Sequence, residues 1–120
     1  MTTTIPHFID GRRTPLSSTR TAGVYNPSTG AVQAQVLLAS AADVDTAVAS
    51  AVEAQKVWGA WNPQKRARVL MKFIELVNAN ATEIAELLSI EHGKTVPDAL
   101  GDIQRGIEVI EFATGIPHLM

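Results

Sequence analysis

Hydrophobic and polar positions alternate in the first 38 residues, a pattern typical of short strands joined by turns. Residues 32–36 switch between valine or alanine and glutamine, so one face of this segment is apolar. Asp10-Gly11 follows a short apolar stretch and readily takes the positive φ angles of a two-residue hairpin turn. Turn-forming residues also make up the segment 26–30. The pattern predicts a small antiparallel ribbon over residues 1–38 with one apolar wall.

From Ser40 onward the spacing of hydrophobic residues changes to the 3.6-residue period of an α-helix. Ser40 with Asp43 three residues later is close to a capping box, and Asn62 before Pro63 is a second helix start. We expect the first of these helices to end before Gly59. The residues predicted to face inward along the helical part are Val44, Ala47, Val48, Ala51, Val52, Leu70, Phe73, Ile74, Val77, Ile84, Leu87, Leu88, Leu100, Ile103, Ile107 and Ile110.

The number of helices depends on the segment around Asn80. This residue either begins a new helix, with Glu83 completing its cap, or lies within one bent helix, and the sequence leaves both open. Gly93 is the predicted stop, because glycine takes the left-handed conformation that ends many helices, and Lys94 complements the negative helix end. The last helix ends at Gly115, which gives three or four amphipathic helices.

The composition fits one globular domain of 120 residues. Hydrophobic residues make up 46% of the chain and charged residues 18%, which excludes a disordered tail. The helical stripes are sized for burial, yet the chain has no second βα unit and no Gly-rich phosphate loop. We therefore expect a single incomplete domain over residues 1–120, with a β ribbon at 1–38 and a helical part at 39–120.

Charge and cysteine content exclude several classes of function. Ten Lys and Arg against twelve Asp and Glu give a net charge of −2, which argues against a nucleic-acid partner. We expect neither a membrane span nor a secretory signal, and the cytoplasm is the predicted compartment. The absence of cysteine excludes disulfides, thiolate metal sites and a cysteine nucleophile carried by this chain. The three histidines lie far apart in sequence, so no metal site is predicted.

Arg105 is the candidate binding residue, in a predicted helix that also contains Gly101 and Gly106. Each glycine costs about 1 kcal/mol relative to alanine, so we expect a close approach there by another segment or a ligand. The arginine projects away from the apolar stripe. It either pairs with Asp102 or Glu108 on the helix surface, the commoner arrangement, or offers its guanidinium to a ligand carboxylate.

A series of motifs runs in a fixed order along nearly the whole chain. They are Phe8-Ile9-Asp10-Gly11, Tyr25-Asn26-Pro27-Ser28-Thr29-Gly30, Ala42-Asp43-Val44-Asp45, Trp58, Arg66, Arg68 and Ile90-Glu91-His92-Gly93-Lys94-Thr95. This ordered set resembles the amino-terminal part of the aldehyde dehydrogenase superfamily. The stretch 98–113 is similar to the CoA-acylating methylmalonate-semialdehyde dehydrogenases, a branch that converts malonate or methylmalonate semialdehyde to acetyl- or propionyl-CoA. The resemblance implies a parent α/β fold with a Rossmann-like NAD domain.

The resemblance also implies roles for these residues and for others outside them. The arginine matching Arg105 is implicated in holding the substrate carboxylate, and NAD and CoA are the cofactors of the parent enzyme, a homo-oligomer. The thiol nucleophile, the acidic residue near it, the oxyanion-hole asparagine and the NAD-contacting loops correspond to positions beyond Met120. We therefore expect no catalytic residue in this chain, no cofactor binding and no activity on its own, and self-association through exposed apolar stripes.

Two other interpretations stay open at this point. One is another aldehyde dehydrogenase branch, which oxidises its aldehyde to an acid without CoA. The other is a free-standing helical interaction module, which would be monomeric and would melt cooperatively.

Overall fold

The computed structural model describes residues 3–15 and 17–120 and divides into two compact units. One unit ends at Ala60 and contains five short strands and one helix, whereas the other begins at Trp61 and contains three helices. The change from strand to helix near residue 38 therefore falls inside the first unit. The prediction of a single incomplete domain stays a prediction. Within the described residues, no helix combines the length and the apolar character that crossing a bilayer requires.

The strands of the first unit form two separate sheets. Strands β1 (Thr3–Ile5), β4 (Thr21–Tyr25) and β5 (Val32–Leu37) form one sheet in the order β1-β5-β4, and β2 (His7–Ile9) pairs with β3 (Arg12–Thr14). Strand β4 is antiparallel to β5, but β1 is parallel to it. The prediction of a wholly antiparallel ribbon is therefore wrong at β1. This short strand has no apolar alternation of its own, and its direction is set by pairing with residues far along the chain.

The predicted hairpin turn is confirmed between β2 and β3. Asp10 and Gly11 have φ angles of 56° and 71°, and the strands are antiparallel with Ile9 opposite Arg12. Positive φ at both central residues gives the turn a twist that matches the twist of the flanking strands. The His7 imidazole Nε2 lies 2.8 Å from the Leu37 carbonyl oxygen, and this contact ties the hairpin to β5.

Helix α1 (Ala41–Ala60) begins with the predicted capping box. Asp43 N donates to Ser40 Oγ at 3.2 Å, while Asp43 Oδ2 accepts from Ser40 N at 2.8 Å. The helix continues through Gly59, so the stop predicted there is wrong. A glycine ends a helix when it takes the left-handed conformation, and Gly59 is not among the described residues with positive φ.

The second unit contains helices α2 (Pro63–Ala79), α3 (Ala81–His92) and α4 (Val96–Thr114), followed by a short 3-10 helix at Ile116–His118. The Asn62 start is confirmed, because its Oδ1 accepts from Lys65 N at 2.8 Å. The described residues thus hold four α-helices, within the predicted range of three or four.

Asn80 separates α2 from α3, which decides between the two possibilities left open by the sequence. Its Nδ2 donates to the Leu76 carbonyl oxygen at 2.7 Å, so the side chain closes α2. It makes no side-chain cap to α3, and the cap expected with Glu83 is not formed by Asn80. The stop at Gly93 is confirmed by a φ of 82° and a hydrogen bond from its N–H to Ser89 O at 2.8 Å.

The buried hydrophobic residues of the described chain are mostly small. They are Ala34 in the first unit and Ala67, Ala85, Ala99 and Ile107 in the second. Small side chains let helix axes approach closely, and α4 accordingly packs against both α2 and α3.

Several large side chains that the periodicity predicts to face inward are exposed instead. These are Val44, Val48, Val52, Phe73, Leu87 and Leu100. Periodicity identifies the apolar face of a helix, but it does not identify what covers that face. The predicted self-association through such faces stays a prediction.

Candidate substrate-binding site

Helix α4 is anchored on one face and open on the other. Thr95 caps its start, with Oγ1 accepting from Asp98 N at 3.4 Å. Ala99 and Ile107 are buried against the other helices, at 0% and 4% exposure. Arg105 projects from the opposite face, where its side chain is 72% exposed. The arginine is therefore exposed to solvent, while the opposite face of its helix packs against the other helices.

The arginine forms one of the two surface pairs that the sequence allows. Arg105 Nη1 donates to Asp102 Oδ1 at 2.7 Å, one turn back along α4. Glu108, the other candidate, accepts from Gln104 Nε2 at 3.4 Å. The described residues thus place Arg105 with Asp102 and not with Glu108. The ligand-binding role of the guanidinium stays a prediction.

Lys94 connects this pair to the end of α3. Its Nζ donates to Asp98 Oδ2 at 2.8 Å and also to Asp102 Oδ2. The Lys94 side chain is only 15% exposed, in contrast to the arginine. We call the four residues Lys94, Asp98, Asp102 and Arg105 the α4 ion-pair cluster.

The sequence interpretation of Lys94 missed this arrangement. It placed the lysine at the negative end of α3, whereas the structure directs its ammonium to two carboxylates of α4. Lys94 and Asp98 lie four residues apart across the start of α4, and this spacing could have signalled the contact. Ser89 helps fix the lysine, because its Oγ donates to the Lys94 carbonyl oxygen at 2.6 Å.

The cluster changes the proton affinity of its members. Hydrogen bonds to Asp102 first and Asp98 second raise the pKa of Lys94 above its ordinary value of 10.5. The hydrogen bond from Lys94, together with the charges of Lys94 and Arg105, lowers the pKa of Asp102. Both directions favour the charged forms at neutral pH. The cluster is therefore a set of two cations and two carboxylates.

The two glycines of α4 lie beside open space. Apart from the neighbouring residues and the backbone of its own helix, a Cβ atom added at Gly101 or Gly106 would meet no atom within 4 Å. The predicted close approach is therefore not made by any segment that the structure describes. The same helix carries two large exposed side chains beyond the arginine, Val109 and Phe112, at 69% and 70% exposure. The Arg105 face thus combines a charged side chain, glycine positions without side chains and exposed apolar side chains.

Metal chemistry has no candidate among residues 3–15 and 17–120. No group of three or more His, Asp or Glu side chains there could hold a metal ion. His7, His92 and His118 lie in different elements of the fold. Arg105 with its cluster stays the candidate site among the described side chains.

Comparison with known proteins identifies relatives over nearly the whole chain. Residues 15–120 match the aldehyde dehydrogenase family. Malonate-semialdehyde dehydrogenase 2 of Bacillus cereus is 45% identical over 116 residues, which are 97% of this chain and 24% of that protein. A solved structure from Sinorhizobium meliloti 1021, described as a methylmalonate-semialdehyde dehydrogenase complexed with NAD, is 57% identical with a TM-score of 0.95. That match covers 99% of this chain and 24% of the other.

The methylmalonate-semialdehyde dehydrogenase of Oceanimonas doudoroffii is also similar, at 44% identity and a TM-score of 0.92. It too is matched over 99% of this chain and 24% of its own length. The chain thus spans 24% of the length of these relatives, in their amino-terminal part. The resemblance predicted from the order of the sequence motifs is confirmed, as is the strand region followed by helices. The chain belongs to the aldehyde dehydrogenase family.

Proposed function

We propose that these residues serve as the amino-terminal part of an NAD-dependent, CoA-acylating malonate- or methylmalonate-semialdehyde dehydrogenase, in which Arg105 binds the substrate carboxylate. The observation that carries the proposal is an exposed guanidinium on a packed helix, in a chain 57% identical to a relative described as a methylmalonate-semialdehyde dehydrogenase. We further propose that the parent enzyme is a cytoplasmic homo-oligomer.

The chemistry of the guanidinium suits this substrate class. A semialdehyde of this kind carries a carboxylate at a fixed distance from its aldehyde carbon. Arginine has five N–H donors in a planar fork, and its Nη1 is engaged by Asp102. The remaining donors suffice for a two-point, charge-assisted contact to a carboxylate. Such a contact would orient the aldehyde and would also strengthen substrate binding.

The residues of this chain do not fit the cofactors. The sequence has no G-x-G-x-x-G segment of the kind that cradles a dinucleotide diphosphate. It also has no cysteine to form the thiohemiacetal from which an acyl group would pass to CoA. In our proposal these parts belong to polypeptide outside these 120 residues. We therefore expect the chain alone to bind neither cofactor and to be inactive.

A chimera tests the proposal in a complete enzyme. The corresponding quarter of the Sinorhizobium protein is replaced by this chain, and NADH formation is followed with malonate semialdehyde and with propanal. We expect Arg105→Gln to lower kcat/KM for malonate semialdehyde about 10- to 100-fold, the value of a charge-assisted hydrogen bond. Propanal has no carboxylate, so its kcat/KM should change less than about twofold.

Arg68→Gln in α2 is the matched control, since it removes an exposed arginine outside the cluster. It should leave the ratio of the two kcat/KM values unchanged. Equal losses for both aldehydes in Arg105→Gln would contradict carboxylate binding. Product analysis with CoA present separates the CoA-acylating branch from one that releases the free acid.

A further inference from the structure

We infer that Asp102 is a positioning residue, which holds the Arg105 guanidinium in one orientation for a carboxylate ligand and is itself fixed by Lys94. This inference rests on the proposed function, because it concerns how the same site binds its anion. Asp102 contacts the arginine directly, and Lys94 contacts it through Asp102. Neither residue is assigned a contact with the substrate.

The arginine needs such a support because it projects from an exposed face. Its side chain is 72% exposed, and long side chains lose substantial rotamer freedom when a ligand immobilises them. Within residues 3–15 and 17–120, its hydrogen-bond partner is the Asp102 carboxylate, at 2.7 Å from Nη1. A guanidinium already held at one Nη loses less freedom when a carboxylate binds its other donors.

Asp102 is in turn held from its other oxygen. Oδ1 accepts from Arg105 and Oδ2 accepts from Lys94, so the carboxylate bridges two cations. The lysine is 15% exposed and is fixed a second time by Asp98, 2.8 Å from its Nζ. The Lys94 backbone is tied to α3 through the Ser89 hydroxyl. The support for the arginine therefore extends from the end of α3 to the middle of α4.

The same bridge engages only one nitrogen of the guanidinium, Nη1, among the described residues. An isolated carboxylate at 2.7 Å would compete with a ligand for the guanidinium charge. Here Asp102 divides its hydrogen bonds between Lys94 and Arg105 Nη1, so within the described residues the other donors of the guanidinium are left for a ligand, although the cluster of two cations and two carboxylates is neutral as a whole. Glu108 lies three residues beyond Arg105 and contacts Gln104 instead, which makes it a nearby carboxylate without the positioning contact.

The two roles that a carboxylate could have at this site predict opposite changes in KM for malonate semialdehyde. If Asp102 positions the arginine, Asp102→Asn in the chimera raises KM for malonate semialdehyde about three- to tenfold, with kcat nearly unchanged. If Asp102 merely competes with the substrate, removing its charge lowers that KM. The kinetic constants for propanal report whether the variant is folded, and we expect them to stay near those of the parent chimera.

Two further variants separate position from charge. Glu108→Gln removes the same charge from the same helix, and we expect KM for malonate semialdehyde to fall slightly or stay unchanged. Asp102→Glu keeps the charge but moves the carboxylate by one methylene, so a rise in KM supports positioning and an unchanged KM contradicts it. This variant also keeps the test decisive if Asp102→Asn does not fold.

A double variant tests whether Asp102 acts through Arg105. In the Arg105→Gln background, Asp102→Asn should produce no further rise in KM, because the group that it positions is gone. Additive effects would overturn the inference. A selective loss in Arg105→Gln with no effect of Asp102→Asn or Asp102→Glu would overturn it too, while leaving the proposed function intact. If Arg105→Gln lowered kcat/KM equally for malonate semialdehyde and propanal, both the inference and the proposed function would be wrong.

Discussion

Asp43 accepts two hydrogen bonds from Ser40, one from the backbone N–H at 2.8 Å and one from the hydroxyl at 2.7 Å. Its second oxygen accepts from Ser17 N, also at 2.8 Å. Both oxygens of one carboxylate thus join the start of α1 to the segment that precedes the sheet strands β4 and β5. Because all of these donors favour the ionised form, the Ser17 N–H most of all, the pKa of Asp43 lies well below its ordinary value of 3.8.

This lowered pKa predicts acid sensitivity of the chain. A carboxylate whose pKa is depressed on folding stabilises the fold above its unfolded pKa, and that stability is lost as the pH falls toward the folded value. We expect the free energy of unfolding in urea to decrease from pH 5 to pH 2, and Asp43→Asn to flatten this slope. Asp45→Asn, two residues further along α1, is the control and should keep the slope. An unchanged slope in Asp43→Asn would contradict the assignment.

The capping box at the start of α1 makes a measurable contribution to the free energy of unfolding. Ser40→Ala removes the hydroxyl that accepts from Asp43 N, and loss of an N-cap side chain costs about 1 kcal/mol. We expect the unfolding free energy to fall by about that amount at pH 7, as measured by urea titration of the helical signal. Ser50→Ala, inside α1, provides the matched comparison and should change the unfolding free energy by less than about 0.5 kcal/mol.

Lys94 should be more important for stability than an exposed lysine in a similar pair. Lys94→Gln leaves Asp98 and Asp102 next to each other without their shared cation, so we expect a clear loss of stability. Lys72→Gln breaks the exposed pair with Glu75 and should cost less than about 0.5 kcal/mol. Equal effects of the two substitutions would show that the covered lysine has no special role.

The same lysine gives a second pH dependence at the alkaline end. Its pKa is raised on folding, so its stabilisation is present below the unfolded value of 10.5 and is lost as the pH rises through the folded value. We expect the unfolding free energy of the parent chain to fall above about pH 10.5, and that fall to be smaller in Lys94→Gln.

The glycines of α4 predict a gain of stability. Alanine at Gly101 or Gly106 fits open space and favours the helix, so each substitution should raise the unfolding free energy by about 0.5–1 kcal/mol. Gly93→Ala is the contrasting change, because a φ of 82° strains any residue with a Cβ, and it should lower stability by about 1–2 kcal/mol. A loss of stability in both α4 variants would mean that their open side is covered.

The exposed valines of α1 predict self-association of the isolated chain. Val44, Val48 and Val52 are 52%, 55% and 53% exposed and recur every four residues. Replacing all three by glutamine should weaken association by at least about tenfold, from the apolar area that they would otherwise bury, as measured by sedimentation velocity. Ala49→Gln on the same helix should leave it unchanged. A monomeric parent chain would favour the interaction-module interpretation instead.

Local signals in the sequence predicted much of this fold. The Asp10-Gly11 turn, the Ser40 cap and the Gly93 stop each depend on a few neighbouring residues, and all three are present in the structure. The parallel pairing of β1 depends on residues far along the chain, so a period-two pattern could not reveal it. The exposure of Phe73 and Leu87 was equally inaccessible, because a hydrophobic stripe does not say what lies against it.

The candidate site shows the same division. The pair between Arg105 and Asp102 follows from the spacing of three residues on one helix, and the sequence offered it as one of two choices. The contact of Lys94 with Asp102 crosses from the end of one helix to the second turn of the next. It depends on how α3 and α4 pack, which no spacing rule contains. The roles proposed for these residues therefore depend on sequence spacing for the arginine pair and on helix packing for the lysine contact.

The parallel pairing of β1 with β5 has a consequence for the order in which the chain folds. Strand β1 is synthesised before β5, and this partner is completed only at Leu37. The hairpin of β2 and β3 and the pairing of β4 with β5 close shorter loops and should form sooner. During synthesis, β1 therefore has no partner in its sheet until β5 has left the ribosome.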